Sequence, residues 1–438
     1  MTSRENYVEE FRRVGPSLPG NHLPWLKRAR ERAMEQFAER DFPTTQDEEW
    51  KYTDVRSLTR RTFPLGTAAK SGITKDQVKD LSCRELPCHL LAFVNGRFAP
   101  KLSDSLPAGA MSLTQALDEK PDTVEAFLAP ETDSESGGAF DALNLAFASD
   151  GAVLRLAQGA VIERPIYLLF ISTDESHVVH PRNFIVMEEN SRATVVEHYH
   201  GLNGAAYFTN AVTQIAVGKN AALTHYKLQQ EGMNAFHIAR IDCRQQHGSR
   251  FDSHSLALGA GLSRSEISTC FGGERAETTF NGLYVAGGRQ HMDHHTRIDH
   301  AEANCVSREF YRGVLNDYAR AVFSGKVIVR EGAQKSDAQQ ANHNLLLSKE
   351  AEVDTRPQLE IYADDVKCAH GATVGQLDED MIFYLRSRGV QEELAKAILT
   401  YAFTHDIIGR IQLAPLKRKV AEALIARLPE SERIKELV

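Results

Sequence analysis

The sequence predicts a mainly β protein, a parallel β-helix core held between two helical flanks. Two observations carry this reading. From residue 151 to 376 the chain is almost entirely short strand-like runs separated by Gly, Asn and charged corners, with no helix-period stretch among them. Helix-like sequence is confined to the two ends, residues 1–150 and 377–438. At 438 residues the chain exceeds one usual compact domain. Three parts are therefore expected: a mostly helical region 1–150, the β core 151–376 and a helical region 377–438.

The first part opens on Pro24 followed by Trp25, Leu26 and a run of strong helix formers through Met34. An acidic–aromatic segment follows, Asp47-Glu48-Glu49-Trp50-Lys51-Tyr52-Thr53-Asp54, with no helical or strand period. Residues 91–98 predict a hairpin turning at Asn95-Gly96. The Ser/Gly run 133–138 predicts a loop.

In the middle part, residues 166–171, 184–187, 193–200, 222–228, 237–242 and 321–329 each hold alternating or β-branched side chains. Corners such as Glu189-Asn190-Ser191-Arg192 and Gly218-Lys219-Asn220-Ala221 separate them. Such a run fits a solenoid, a barrel or paired sandwiches. The irregular period and the dominance of Gly/Asn corners favour coils stacked as a parallel β-helix.

The third part returns to helix. Asp378 is placed as an N-cap and Gly389 as a left-handed stop. The next helix, from about Gln391, carries Leu394, Ile398, Tyr401 and Ala402 on one face. A last one carries Leu416, Val420, Leu424 and Leu428, between Pro415 and Pro429.

Composition excludes some functions. A net charge of -8 gives no sign of the basic face that a nucleic-acid binder shows, and leaves room only for a local basic patch. The polar start, without an apolar h-region, and the lack of a long apolar run lead to the expectation of a cytoplasmic chain with no membrane contact. Cys83, Cys88, Cys243, Cys270, Cys305 and Cys368 form no CxxC pair and are expected as reduced, mostly buried thiols. No GxSxG, HExxH, Walker A or strand-associated GxGxxG occurs.

Histidine is the informative residue: 14 of the 17 lie from His177 to His370. In His291-Met292-Asp293-His294-His295-Thr296-Arg297-Ile298-Asp299-His300, strand alternation puts His291, Asp293, His295, Arg297 and Asp299 on one face, and His294 and His300 on the other. The imidazoles of His291, His294 and His295 are candidate metal ligands. Arg297 argues for the alternative, a hydrogen-bonded polar ladder. Glu197-His198-Tyr199-His200 has the same two readings. Cys368 and His370, at i and i+2, point the same way on a strand, and thiolate with imidazole suits iron, copper or zinc. Lys367 beside them is expected to lower the thiol pKa. Two ligands do not close a site, so the rest would come from elsewhere, including another chain.

Several runs resemble a known family. They are Ala333-Gln334-Lys335-Ser336-Asp337-Ala338-Gln339-Gln340, residues 344–348 and 351–361, Lys367-Cys368-Ala369-His370-Gly371-Ala372-Thr373-Val374-Gly375 and Phe383-Tyr384-Leu385-Arg386-Ser387-Arg388-Gly389. His294-His295-Thr296 and Tyr311-Arg312-Gly313 lie upstream of them. Together they resemble the core of the SufB/SufD family of iron–sulfur cluster assembly proteins, specifically over 278–401 and diffusely from 150. The segment Glu48-Glu49-Trp50-Lys51-Tyr52-Thr53 is similar to the SufD branch, and Ser336 departs from a more familiar Thr. The resemblance implies a right-handed parallel β-helix and a non-catalytic scaffold. It implies pairing with SufB through the β-helix, or a homodimer when alone, and docking of the ATPase SufC, where ATP hydrolysis would reside. It implies a transient iron or Fe–S cluster shared with SufB, with His370 as ligand, Cys368 beside it and no permanently bound cofactor. Docking of SufC then maps to Phe383, Tyr384, Arg386, Arg388, Ile398 and Tyr401.

Overall fold

The computed structural model describes residues 3–66, 72–129, 138–173, 176–202 and 204–435. The loop expected over 133–138 lies, apart from Gly138, outside them. Successive strands of the middle region alternate between two sheets, each of ten strands among the described residues. One sheet runs Ile166–Ser172, Arg192–Gly201, Ala222–Gln230, Arg250–Ala257, Glu277–Ala286, Val306–Leu315, Asp337–Leu346 and Lys367–Gly375, each parallel to the next. The other runs Arg182–Met187, Phe208–Val217, Phe236–Gln245, Leu262–Phe271, His291–His300, Arg320–Val329 and Glu352–Ile361, likewise parallel. The chain is a parallel β-solenoid of about eight turns, flanked by helices at both ends.

Coil length varies. Ala222 pairs with Arg250, 28 residues on, and Val306 with Asp337, 31 residues on. That variation is why the sequence shows recurrent corners without a fixed period. The corners themselves form a ladder. Asn190, Asn220, Arg275, Asn304 and Lys335 sit at left-handed φ of 54–60°. The N–H of Asn190 donates to Lys219, Asn220 to His247, Asn304 to Gln334 and Lys335 to Asp365. Asn tolerates this region because its short side chain bonds locally, so Asn corners in the sequence were a solenoid signal.

Inward side chains stack from coil to coil. Phe93, Phe170 and Tyr199 lie ring on ring, with centroids 4.7 and 4.8 Å apart, the spacing of neighbouring strands. Phe93 comes from the N-terminal region. Its strand, His89–Val94, adds to the first sheet beside Ile166–Ser172. It then turns at Asn95 and Gly96, both with positive φ, into Arg97–Phe98, giving the expected hairpin.

The helices Ser3–Val14, Pro24–Arg40 and Ala139–Phe147 pack Tyr7, Phe37, Phe140 and Phe147 against Phe208, Phe236 and Ile238 of the second sheet. At the other end come the helices Glu379–Ser387, Glu392–Ile408, Ala414–Ile425 and Ser431–Lys435. Asp378 caps the first of them, accepting from the N–H of Asp380 and Met381, and Gly389 follows it at φ +86°. Ile407, Ile408, Leu416, Val420 and Leu424 cover the outer face of the first sheet at Tyr226, Leu228, Leu256, Leu283 and Val285. This covering explains why that face is apolar where an exposed strand would be polar. No helix of the described residues is long and apolar enough to cross a membrane.

Candidate functional site

Lys367–Gly375 is the last strand of its sheet, and Glu352–Ile361 ends the other. The solenoid therefore finishes open, without a capping helix across these strands among the described residues. The inward positions of the last strand are Cys368, His370, Ala372 and Val374, stacked on Ala338, Gln340, Asn342 and Asn344. With no further coil above, His370 is exposed and Cys368 half-buried. The two share one row, as alternation predicts. The thiol does not behave as Lys367 suggested. Burial against the core raises the Cys368 pKa, and Asp337 adds to the rise. Lys367 sits at an outward position, exposed, and makes no contribution to it.

Beneath this row lies a polar lattice. Asn344 Nδ2 donates to Asn342 Oδ1 at 2.7 Å, and Thr355 Oγ1 donates to the same oxygen at 2.9 Å. Asn342 Nδ2 donates to the Tyr284 hydroxyl, which donates to Asn344 Oδ1. Gln340 Nε2 donates to Glu309 Oε2 at 2.7 Å. Sequence reasoning missed this lattice. Its signal was present in the alternating Gln340, Asn342 and Asn344, three amides on one face of one strand.

The histidine-rich strand divides as alternation predicts, and the division separates its candidate ligands. His294 points into the solenoid, stacked on Tyr284 at 4.9 Å, and burial lowers its pKa to about 3. His300 is also internal, beside Ser307, and burial takes it to about 4. His291 and His295 point outward, so the three cannot converge on one ion. The outer face is instead a docking site for the acidic–aromatic segment. Thr53 Oγ1 donates to Asp293 Oδ2 at 2.6 Å and lies 2.9 Å from His291 Nε2. Arg264, about 1% exposed, pairs with Asp293 at 2.6 Å and donates to the Glu49 carbonyl. Its guanidinium stacks 3.8 Å from the Trp50 ring centre. His295 pairs with Asp293 at 3.0 Å and with Glu49 at 3.3 Å, and Arg356 pairs with Glu48 at 2.6 Å. Burial opposes charge here, yet Arg264 and then His295 hold the Asp293 carboxyl well below its ordinary range. Against burial, Asp293 raises His295 to about 9. The arginine expected to join the ladder, Arg297, is a weaker member at 3.7 Å from Asp299, and Arg330 binds that carboxylate at 2.7 Å.

Glu197 and His198 part in the same way. Glu197 faces inward, 3.2 Å from His225, and His198 faces outward, with Nδ1 2.9 Å from the Tyr167 hydroxyl. Among the described residues no group of three or more His, Cys, Asp and Glu side chains is arranged to hold a metal ion. All six cysteines are free, four buried, with Cys368 half-buried and Cys270 exposed.

The C-terminal candidates also divide. Phe383 and Tyr384 are 72% and 56% exposed, and Met381, which the sequence reading overlooked, 56%. Arg386 pairs with Glu392 at 3.2 Å, and Arg388 lies over the Tyr384 ring. Ile398 and Tyr401 instead pack partly buried against Leu394, Ala397, Ile425 and Leu428. Two aromatics and a methionine are thus exposed on one short helix.

Comparison with known proteins places the chain in a family. The family model described as SUF system FeS cluster assembly, SufBD core domain, matches residues 170–403, and that of the SufBD protein N-terminal region matches residues 1–168. The iron–sulfur cluster assembly protein SufD of Escherichia coli is 34% identical over 406 residues, covering 91% of this chain and 92% of the relative. An iron–sulfur cluster assembly SufBD family protein of Synechocystis is 34% identical over 399 residues, covering 88% and 87%. SufD of Bacillus subtilis is 25% identical over 412 residues, covering 91% and 93%.

Proposed function

Since the chain belongs to the SufBD family of SUF-system iron–sulfur cluster assembly proteins, we propose that it is a non-catalytic scaffold that contributes half of a cluster-assembly site. The observation that carries this is the open end of the solenoid. An unpaired strand edge is a template for pairing with another chain, and here that edge bears His370 and Cys368. An imidazole and a thiol are ligands for iron, but two donors leave a site incomplete. A partner solenoid of the same kind, SufB, seated end to end, would continue both sheets and bring the missing ligands. The nascent cluster is then cargo shared across the seam.

The exposed Met381, Phe383 and Tyr384 form the surface offered to the ATPase SufC, with Arg386 and Arg388 at its rim. Ile398 and Tyr401 pack in the neighbouring helical cluster. The following helices lie directly on the first sheet, where Arg410 stacks 3.9 Å from the Phe310 ring centre and Arg427 donates to the Val285 carbonyl. Movement of a docked ATPase would reach the sheet that ends in His370.

The test is cluster assembly in cells co-expressing SufB, SufC and this chain, read as iron and sulfide retained by the purified complex. His370→Ala is expected to lose the cluster from an intact complex. Normal retention would leave His370 without the ligand role.

A further inference from the structure

One inward row runs from the middle of the solenoid to its open end: Ser253, Phe280, Glu309, Gln340, His370, each in register with the next. Its last three members are polar, and the inner two are buried, Glu309 at 1% and Gln340 at 3% exposed. Gln340 commits its amide nitrogen to Glu309. Its amide oxygen, also buried, has no hydrogen-bond partner. A buried acceptor left open is costly and calls for a donor. Room for the amide is built in. A Cβ on Gly325 of the facing sheet would meet Gln340 Nε2 at 2.1 Å, so glycine there keeps the space clear. The side chain stacked over Gln340 from the next strand is His370, about 4.8 Å away along the sheet.

We propose that Gln340, braced by Glu309, is a positioning residue for His370: its amide oxygen accepts the N–H of one imidazole nitrogen and leaves the other nitrogen free toward the open end. This rests on the reading of His370 as a ligand. A neutral imidazole binds metal through its unprotonated nitrogen, and the partner of the protonated nitrogen decides which one that is and how the ring is turned. Glu309 sets the polarity of the amide. An ionised carboxylate takes the N–H₂ end and leaves the oxygen for His370. The groups facing Glu309 are Gln340, Tyr311 two residues along its own strand, and Thr296 across the solenoid. His294, beyond Thr296, is turned to Tyr284 and Tyr311. Burial raises the Glu309 carboxyl to about 7, with Thr296 and Gln340 opposing the rise. The brace is therefore in its accepting form at mildly alkaline pH.

The test is nitrogen NMR of the ring in the full-length chain labelled with ¹⁵N-histidine, at a pH above 8, with the His370 signals identified by their loss in His370→Ala. Wild type is expected to hold one tautomer, with widely split ring-nitrogen shifts. Gln340→Leu should collapse the two shifts toward their mean, and Glu309→Leu should do the same by releasing the amide. Gln340→Met keeps the volume if Leu fails to fold. In the SufB–SufC co-expressed complex, Gln340→Leu is expected to cut retained iron by about tenfold, as loss of an outer-shell partner does. Averaged shifts in wild type, or unchanged shifts in Gln340→Leu and Gln340→Met, overturn the contact. Collapsed shifts with undiminished iron overturn the positioning role. Failure of the ligand reading is separate: His370→Ala would then keep its cluster while the tautomer of wild type still depended on Gln340.

Discussion

A single carboxyl shows how much a residue's environment decides. Among the described residues only Thr296 and Gln340 offset the burial of Glu309, and its folded pKa of about 7 lies above the ordinary 4.5. A raised carboxyl binds its proton more tightly folded than unfolded. The stability this gives is complete below pH 4.5 and is lost as pH rises through 7. The size is about 3 kcal/mol, at about 1.4 kcal/mol per unit. Glu309→Gln keeps the shape and removes the titration. The unfolding midpoint of this variant should gain on wild type from pH 4.5 to 7 and then run parallel. A difference that stays flat over that range would mean the carboxylate is solvated or paired. Nothing in the sequence around Glu309 announced this. Arg308, Glu309, Phe310, Tyr311 and Arg312 alternate without an apolar face, because Phe310 and Arg312 look outward under the C-terminal helices while Glu309 and Tyr311 look inward. The polarity that usually separates the two faces of a strand is scrambled wherever both are covered.

At the scale of the element, the acidic–aromatic segment is a clasp. It stood out in the sequence for what it lacked, a period, but its target lies over 200 residues away and local pattern carries no such information. Its docking is built on His295, whose raised pKa of about 9 makes it cationic at neutral pH between Asp293 and Glu49. The sign is the same as for Glu309, because both groups bind their proton more tightly folded than unfolded. The stabilisation is complete below the ordinary 6.5 and is lost as pH rises through 9. Hydrogen-exchange protection of residues 47–54, corrected for the intrinsic rate, should fall over that interval in wild type. His295→Gln should show low protection without the fall. Protection that is level across the interval in wild type would show that Arg264 on Trp50 and Thr53 on Asp293 hold the clasp alone. The same element favours the ladder over the metal among the two readings of the histidine strand, and the arginine that neutralises Asp293 comes from the neighbouring coil, not from the strand itself.

For the whole molecule, the solenoid was legible because its signals are local and repeated: short strands, Asn corners in left-handed backbone, helices only at the ends. The openness of its last coil was not, since a terminal strand reads like any other until its neighbours are known. That openness has a consequence for the chain in solution. The last coil leaves Ile361, Tyr362 and Val374 exposed at 42%, 61% and 47%, beside two unpaired strand edges. Hydrogen-bond groups and apolar surface offered together favour strand addition from a second solenoid, and for the chain alone the prediction is pairing with another copy. Val374→Asp places a charge in the inward row of the last strand, where a partner coil would bury it. Because the site is exposed in the single chain, its melting temperature should hold. Sedimentation equilibrium should show association weakened by tenfold or more, equivalent to about 1.4 kcal/mol. Phe383→Asp, on the separate C-terminal patch, should leave association unchanged. If Phe383→Asp dissociates the copies and Val374→Asp does not, the pairing surface lies on the C-terminal helices and the open end is covered in some other way.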